Sequence, residues 1–259
     1  MMCPSIYSSS MALPATICCV LCLTISVIYV TLGCFSAVCK NKGMLFTPAK
    51  QQLLVTYFTS GLRSTYKKGE IIIRPHESPE YIYYIESGYV KAYSITKYGD
   101  ENLHVIRHDG DIFPIIWTFT EERRDVAYEA MDNVVIWRQP KSTYIEFLDT
   151  RPEAAAAVLG LAMKSYRIFA EHVNTLEYRT VRERAVSFLL ACCRRFGEPQ
   201  ADGSIKIVAP LRQQDIASSI NASRETTSRE LSVLSKKGFI KISDRYVSVL
   251  QKTALEKML

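Results

Sequence analysis

The chain has 259 residues, 48% hydrophobic and 22% charged, which excludes a disordered protein and leaves room for one to three domains. Its net charge of +6 is uneven: from Glu177 onward 15 Lys and Arg stand against 9 Asp and Glu, whereas residues 44–176 carry 15 against 17, and Lys40 and Lys42 supply the rest. A basic C-terminal module suits a polyphosphate partner and salt-sensitive binding.

Residues 1–43 form a hydrophobic segment with no charged side chain before Lys40. Ile17 to Val38 is mostly Ile, Val, Leu, Cys, Ala and Phe, and residues 15–38 are long enough to cross a hydrocarbon core, which takes about 20 residues. Lys40 and Lys42 on that flank place the C-terminal side in the cytoplasm, giving a cytoplasmic protein anchored in the inner membrane. No basic region precedes the apolar run, which argues against a cleaved signal peptide. The other reading is that translation starts at Met44 and the segment is absent. Six of the eight cysteines (Cys3, Cys18, Cys19, Cys22, Cys34 and Cys39) fall here and two, Cys192 and Cys193, are adjacent further on, so no disulfide framework is expected.

Residues 44–150 make the first folded unit. Pro48 to Thr65 reads as one or two lead-in helices, with Leu53, Leu54, Tyr57, Phe58 and Leu62 at helical spacing. Then β-rich runs follow at Glu70–Arg74, Tyr81–Ile85, Tyr89–Ile95, Leu103–Arg107, Ala127–Met131 and Val134–Arg138. Gly69, Gly88, Gly99 and Gly110 mark turns between them. Short strands at this spacing predict a double-sheet roll.

Residues 151–177 read as a long helix, Pro152 to Leu176, capped by Asp149 or Thr150. Leu159, Ala162, Tyr166, Phe169, Val173 and Leu176 are spaced 3, 4, 3, 4, 3, a heptad seam suited to a two-stranded dimer. Packing on the chain's own roll is the alternative. Residues 178–259 begin with a helix from Tyr178 to Phe196, whose buried stripe runs through Val181, Ala185, Phe188, Leu189 and Cys192. Gly197 to Gly203 reads as a turn, and Ser204 to Val208 as a short strand.

Leu211 to Lys237 reads as two helices joined at Asn221 and Ala222. Leu211, Ile216, Ala217 and Ile220 give the first an apolar face. Ser223 is an N-cap for the second, although Thr226 leaves the capping box incomplete. Thr227, Leu231 and Leu234 face inward, turning Arg224, Glu225, Ser228 and Arg229 toward one outer face. This is helix-turn-helix geometry, in which the second helix enters the major groove. An Arg can bridge O6 and N7 of guanine, and a Glu can accept from the cytosine amino group. Gly238 then ends the helix. Phe239–Ile242 and Tyr246–Val249 flank Ser243-Asp244-Arg245 as a hairpin, the wing, and Thr253 to Leu259 closes as a short helix.

Ser223-Arg224-Glu225-Thr226 with Arg229 resembles the recognition helix of the cyclic-AMP receptor protein/FNR (Crp/Fnr) family of bacterial transcription regulators. The resemblance covers roughly residues 46 to 259. In the β-rich part it includes Gly69-Glu70, Gly88-Tyr89-Val90 and Gly110-Asp111-Ile112-Phe113. It implies an α+β fold: a cyclic-nucleotide-binding-like β-roll (a jelly roll), a long dimerisation helix and a winged helix-turn-helix. Ser223, Arg224, Glu225, Ser228 and Arg229 match positions that contact DNA, and Gln213 and Gln214 match positions that touch phosphate. The implied partners are a homodimeric copy, duplex DNA with a palindromic TGA or GTGA site, and RNA polymerase if the protein activates.

The sensory pocket departs from the family. Relatives hold the nucleotide with a Gly-Glu-Leu turn and an Arg-Ser pair. Here these read Pro114-Ile115-Ile116 and Arg124-Asp125. The ribose-binding Glu is missing, Asp125 sets a negative charge where phosphate would sit, and Trp117 and Phe119 make the turn more apolar. Like charges at contact in a partly dry pocket cost on the order of 1–4 kcal/mol. Cyclic-nucleotide binding is therefore not expected, and Arg124 is the one candidate effector ligand. The resemblance also raises an iron–sulfur cluster on the N-terminal cysteines, but Cys19-x-x-Cys22 sits in an apolar run without a ligand-loop context, so no cluster is expected.

An enzyme is not indicated, because the sequence offers no nucleophile–base pair, phosphate loop or metal-ligand set. His104 and His108 fall in a strand, where such residues share a face without converging, and His76 and His172 read as surface or interface residues. A membrane-associated sensor or scaffold with a vestigial DNA-binding part is the competing function. Arg224, Glu225 and Arg229 occurring together argue against it.

Overall fold

The computed structural model describes residues 48–120, 122 and 125–259. The apolar stretch 15–38, its cysteines and Arg124 lie outside the described residues. Among the described residues, no helix is long and apolar enough to cross a membrane.

Helix α1 (Pro48–Thr59) buries Leu54 and Phe58. The expected continuation of helix to Thr65 does not form. Leu62–Tyr66 is instead strand β1, paired antiparallel with β8 (Val134–Pro140) from Leu62–Arg138 to Tyr66–Val134. Gly61 makes the switch. A Cβ there would sit 2.4 Å from the Arg138 carbonyl oxygen, so only glycine lets the chain enter the sheet this closely. Leu62 is accordingly a solvent-facing strand residue, not part of a helical stripe.

The roll follows with β2 (Ile71–Ile73), β3 (Tyr81–Ser87), β4 (Val90–Ile95), β5 (Glu101–Arg107), β6 (Ile112–Phe113) and β7 (Ala127–Ala130). Strands order as β1-β8-β3-β6 in one sheet and β2-β7-β4-β5 in the other. Residues from both sheets, among them Ile73, Tyr83, Ile85, Val90, Phe113 and Ile136, share one core. Gly88 turns β3 into β4 at φ +97°, a conformation that favours glycine. Two short elements escape the sequence pattern: two-residue β6, and α2 (Ile115–Thr120), which follows the cis Phe113–Pro114 bond.

Helix α3 (Lys141–Thr150) leads to α4 (Pro152–Glu177). The predicted cap is corrected here. Arg151 is the N-cap and no side chain caps the helix, because the Thr150 hydroxyl is spent on the Glu146 carbonyl, 2.9 Å away, inside α3. The inner face of α4, including Ala157, Val158 and Leu161, packs with Phe58, Tyr144 and Leu148 against the first sheet. The predicted seam lies on the other side: Leu159, Tyr166, Phe169, Val173 and Leu176 are all exposed.

Helix α5 (Val181–Phe196), β9 (Gly197–Pro199), β10 (Ile205–Ile207), α6 (Gln213–Ser219), α7 (Arg224–Lys236), β11 (Ile240–Ser243), β12 (Tyr246–Val249) and α8 (Lys252–Glu256) complete the chain. Gly197–Pro199, read as a turn, is a strand, because it finds β10 as an antiparallel partner. Cys192 is buried as its place on the predicted stripe implies, Cys193 is buried beside it, and burial pushes their thiols up to about 12 and about 11.

The second sheet does not end in solvent. Leu103, Ile106 and Met131 from its outer side join the same core as Leu189, Leu211, Ile216 and Leu231 of the C-terminal module. Strand β4 is therefore buried on both faces over Val90–Tyr93, and Lys91 is only 1% exposed.

Candidate nucleic-acid interface

The module is assembled from α5 outward. Thr180 and Glu183 form a capping box: the Glu183 N–H donates to the Thr180 hydroxyl at 3.1 Å, and the Thr180 N–H donates to the Glu183 carboxylate at 3.0 Å. The Thr180 N–H on the carboxylate, with the Thr180 side chain adding to it, holds the Glu183 carboxyl below its ordinary value. The next residue, Arg184, donates to the Ile220 carbonyl (2.9 Å) and the Tyr178 carbonyl (3.0 Å), tying the start of α5 to the end of α6. Arg182 pairs with Glu230 on α7 at 2.8 Å. Neither arginine is legible from the motif alone. Glu230 and Arg182 lie 48 residues apart, and only the packing of α7 on α5 brings them together.

Leu211, Ile216, Ala217 and Ile220 are all buried. Asn221 makes the turn at φ +50°, a left-handed conformation that asparagine tolerates better than most residues. Ser223 caps α7, its hydroxyl accepting from the Thr226 N–H at 3.2 Å and donating to the Thr226 hydroxyl at 3.0 Å. Inward, Thr227, Leu231 and Leu234 are buried. Outward, Arg224, Glu225 and Arg229 are exposed and Ser228 is half-buried beside them. Among the described residues, no hydrogen bond or ion pair engages the side chain of Arg224, Glu225 or Arg229, so these groups are available to a ligand.

Gln213 and Gln214 open α6 and are half-buried. Just before them stands a pair that the motif reading missed. Arg212 makes a two-point bond to Asp215, Nη2 to Oδ1 at 2.8 Å and Nε to Oδ2 at 3.1 Å, and Asp215 also accepts the Arg212 N–H at 2.8 Å. That hydrogen-bonded carboxylate raises the Arg212 guanidinium, with Glu101 and Glu129 of the roll adding to it. An acid three residues after the helix start was the available signal. The wing is β11 and β12, turning at Asp244 with φ +54° and carrying Arg245.

The sensor pocket is small. Tyr83, Phe113 and Tyr128 stack at 5.3 Å and 4.9 Å between centroids. Beside this stack, Tyr128, Pro114, Ile116 and Trp117 line a cavity of about 30 Å³, enough for about one or two waters. Of the two aromatic residues of this turn, Trp117 lines the space and Phe119 is exposed and does not. Asp125 is partly exposed and lies 3.5 Å from the ring nitrogen of His76. His104 bonds to Ser94 at 3.0 Å and His108 to Asp109 at 3.1 Å, while His172 is half-buried and its imidazole is held below its ordinary value by burial. Among the described residues, no cluster of three or more His, Cys, Asp or Glu could hold a metal ion.

Two family models match the chain: a cyclic nucleotide-binding domain over residues 63–151 and a Crp-like helix-turn-helix domain over residues 183–258. The global nitrogen regulator of Synechococcus elongatus is 32% identical over 199 residues, covering 74% of this chain and 87% of that protein. The nitrogen fixation regulation protein FixK of Azorhizobium caulinodans is 28% identical, covering 76% and 79%. Among solved structures, FixK2 from Bradyrhizobium japonicum superposes with a TM-score of 0.66 at 23% identity, over 76% of this chain and 96% of that one.

Proposed function

Because the chain belongs to the Crp/Fnr family of transcription regulators, we propose that it binds DNA by presenting α7 of each of two subunits to successive major grooves. The protein is a Crp/Fnr-type regulator with a DNA-binding helix-turn-helix. In the specific reading, Arg224 and Arg229 contact guanine or phosphate and Glu225 contacts cytosine. Ser223 and Ser228 lie beside them, and Gln213 and Gln214 hold the backbone. The site is a palindrome with TGA or GTGA half-sites, and an activating role brings RNA polymerase as a further partner. The observation that carries the reading is the outer face of α7, three charged groups without a partner among the described residues on a helix fixed by its buried side. Selection of bound duplexes from a random pool tests it. A recovered two-fold TGA-type motif supports the reading, and a pool that stays random overturns it.

Homodimerisation through α4 is supported by the six large apolar side chains it leaves in water, Met163 with the five of the seam. Residues 44–150, 151–177 and 178–259 then act as sensor, dimer helix and DNA-binding module. The filled interior of the roll supports loss of cyclic-nucleotide binding, since drug-sized ligands occupy pockets of about 300–1,000 Å³. Isothermal titration with cyclic AMP checks this, and micromolar affinity would overturn it. Fractionation of cells expressing the full-length chain separates a membrane tether through residues 15–38 from translation that starts at Met44.

A further inference from the structure

The contact between the roll and the module carries more charge than a packing surface needs. Lys91, on doubly buried β4, places Nζ 2.8 Å from Glu101 and 3.3 Å from Glu129, and 4.2 Å from the Tyr93 ring centroid. One lysine between two carboxylates leaves a net negative charge. Glu129 then lines a cleft of about 120 Å³ whose other wall is Arg212, Asp215 and Arg245. Lys68 stands at the rim, exposed to solvent.

On the module side the balance is reversed. Asp215 is consumed by Arg212, and it is almost wholly buried while Arg212 keeps a side chain 43% exposed. Arg245 is one-third exposed, its nearest carboxylate is the solvent-facing Asp244 at 3.7 Å, and its Nη1 is shut from solvent with no acceptor. Asp132, next to β7, is half-buried, accepts the Tyr89 N–H at 2.8 Å and lies within electrostatic reach of Arg245. Two arginines of the module thus share a cleft of about 120 Å³ with Glu129 of the roll, with no direct ion pair across it among the described residues. Both arginines flank the recognition helix, Arg212 beside Gln213 and Gln214 and Arg245 on the wing. The backbone of a duplex seated on α7 would pass along those flanks.

We propose that the roll's Glu101–Lys91–Glu129 cluster competes with DNA phosphate for Arg212 and Arg245, and so restrains the module from within the same chain. The inference rests on the DNA-binding reading above. Lys91 fixes the two carboxylates in place. Without it they would repel each other and turn outward. No direct ion pair closes the cleft among the described residues, so the attraction can be exchanged for phosphate without breaking the apolar contact made by Leu103, Ile106 and Met131.

The test is Glu129→Gln in the full-length chain, measured on the selected duplex and on a random duplex across a salt series. Lys91 and Glu101 remain a matched pair, so the fold is kept. The expected result is about tenfold tighter binding to both duplexes at low salt. The slope of log affinity against log salt should steepen by about 0.9 for each phosphate newly contacted. Arg212→Gln in the same chain should cancel most of the gain. A variant that merely loosened the structure would weaken binding and leave the slope alone. Unchanged or weaker binding by a folded Glu129→Gln overturns the proposal, and Glu101→Gln is read in the same way should Glu129→Gln not fold. If the wild-type chain binds no duplex, the DNA-binding reading fails. If it binds and the variants do not differ from it, only the competition fails.

Discussion

Helix α7 and strand β4 both carry cations, and they use them in opposite ways. On α7, Arg224 and Arg229 stand outside while Thr227, Leu231 and Leu234 do the packing. On β4, Lys91 is inside, matched by two carboxylates and covered by an aromatic ring. The difference teaches where a charge is available to a ligand. A guanidinium on a helix whose other face holds the core can be removed with little cost to the fold. A buried ammonium is part of the fold, because leaving its partners unmatched in a dry site is expensive.

Lys91→Ala breaks this comparison most severely. It strands Glu101 and Glu129 and should cost about 3–5 kcal/mol in urea unfolding. A loss under 1 kcal/mol would mean that Lys91 is no more structural than the arginines of α7. Next is Arg229→Ala, expected to weaken specific DNA binding by about 1–3 kcal/mol while changing urea stability very little. Equal loss on specific and random duplexes would count against base readout. Thr180→Ala removes one half of the α5 capping box and should destabilise the module by about 1 kcal/mol, visible in thermal unfolding and absent from the salt slope of DNA binding.

The smallest effect concerns His172, which falls between the two extremes, half-buried and, among the described residues, in no ion pair with a carboxylate. Burial lowers its folded-state value, so the unfolded chain binds the extra proton more readily. Its contribution is complete above pH ~6.5, the ordinary histidine value, and is lost as pH falls through the lowered one. His172→Gln should therefore flatten the fall in stability between neutral and mildly acid pH. An unaltered pH profile would show that the imidazole is solvated in the folded chain.

What could be read in advance follows the same division. The helix-turn-helix was legible because one face of each helix is wet and the other dry, so Ile216, Ile220, Leu231 and Leu234 declare themselves by spacing alone. The outer residues were then fixed by elimination. Strand β4 was legible as a strand, but the burial of Lys91 was not. Alternation assigns every second residue to solvent, and only the docking of α5 and α6 covers that second face. Leu62 misled for a related reason, since an apolar residue at helical spacing carries no information about a glycine that admits a strand. Arg182–Glu230 and the cleft at Arg245 depend on residues far apart in sequence, and no local pattern records them.

If the outward apolar stripe on α4 pairs two chains as proposed, the regulator's output would depend on how much of it is present. Chains that hide Leu159, Tyr166, Phe169, Val173 and Leu176 by pairing do so in a second-order step, so while most copies are single, doubling their number raises the paired population about fourfold. A promoter governed by such a pair would be quiet at low dosage and turn on steeply. Modest changes in synthesis or proteolysis of the chain would then act as a signal before any effector is bound.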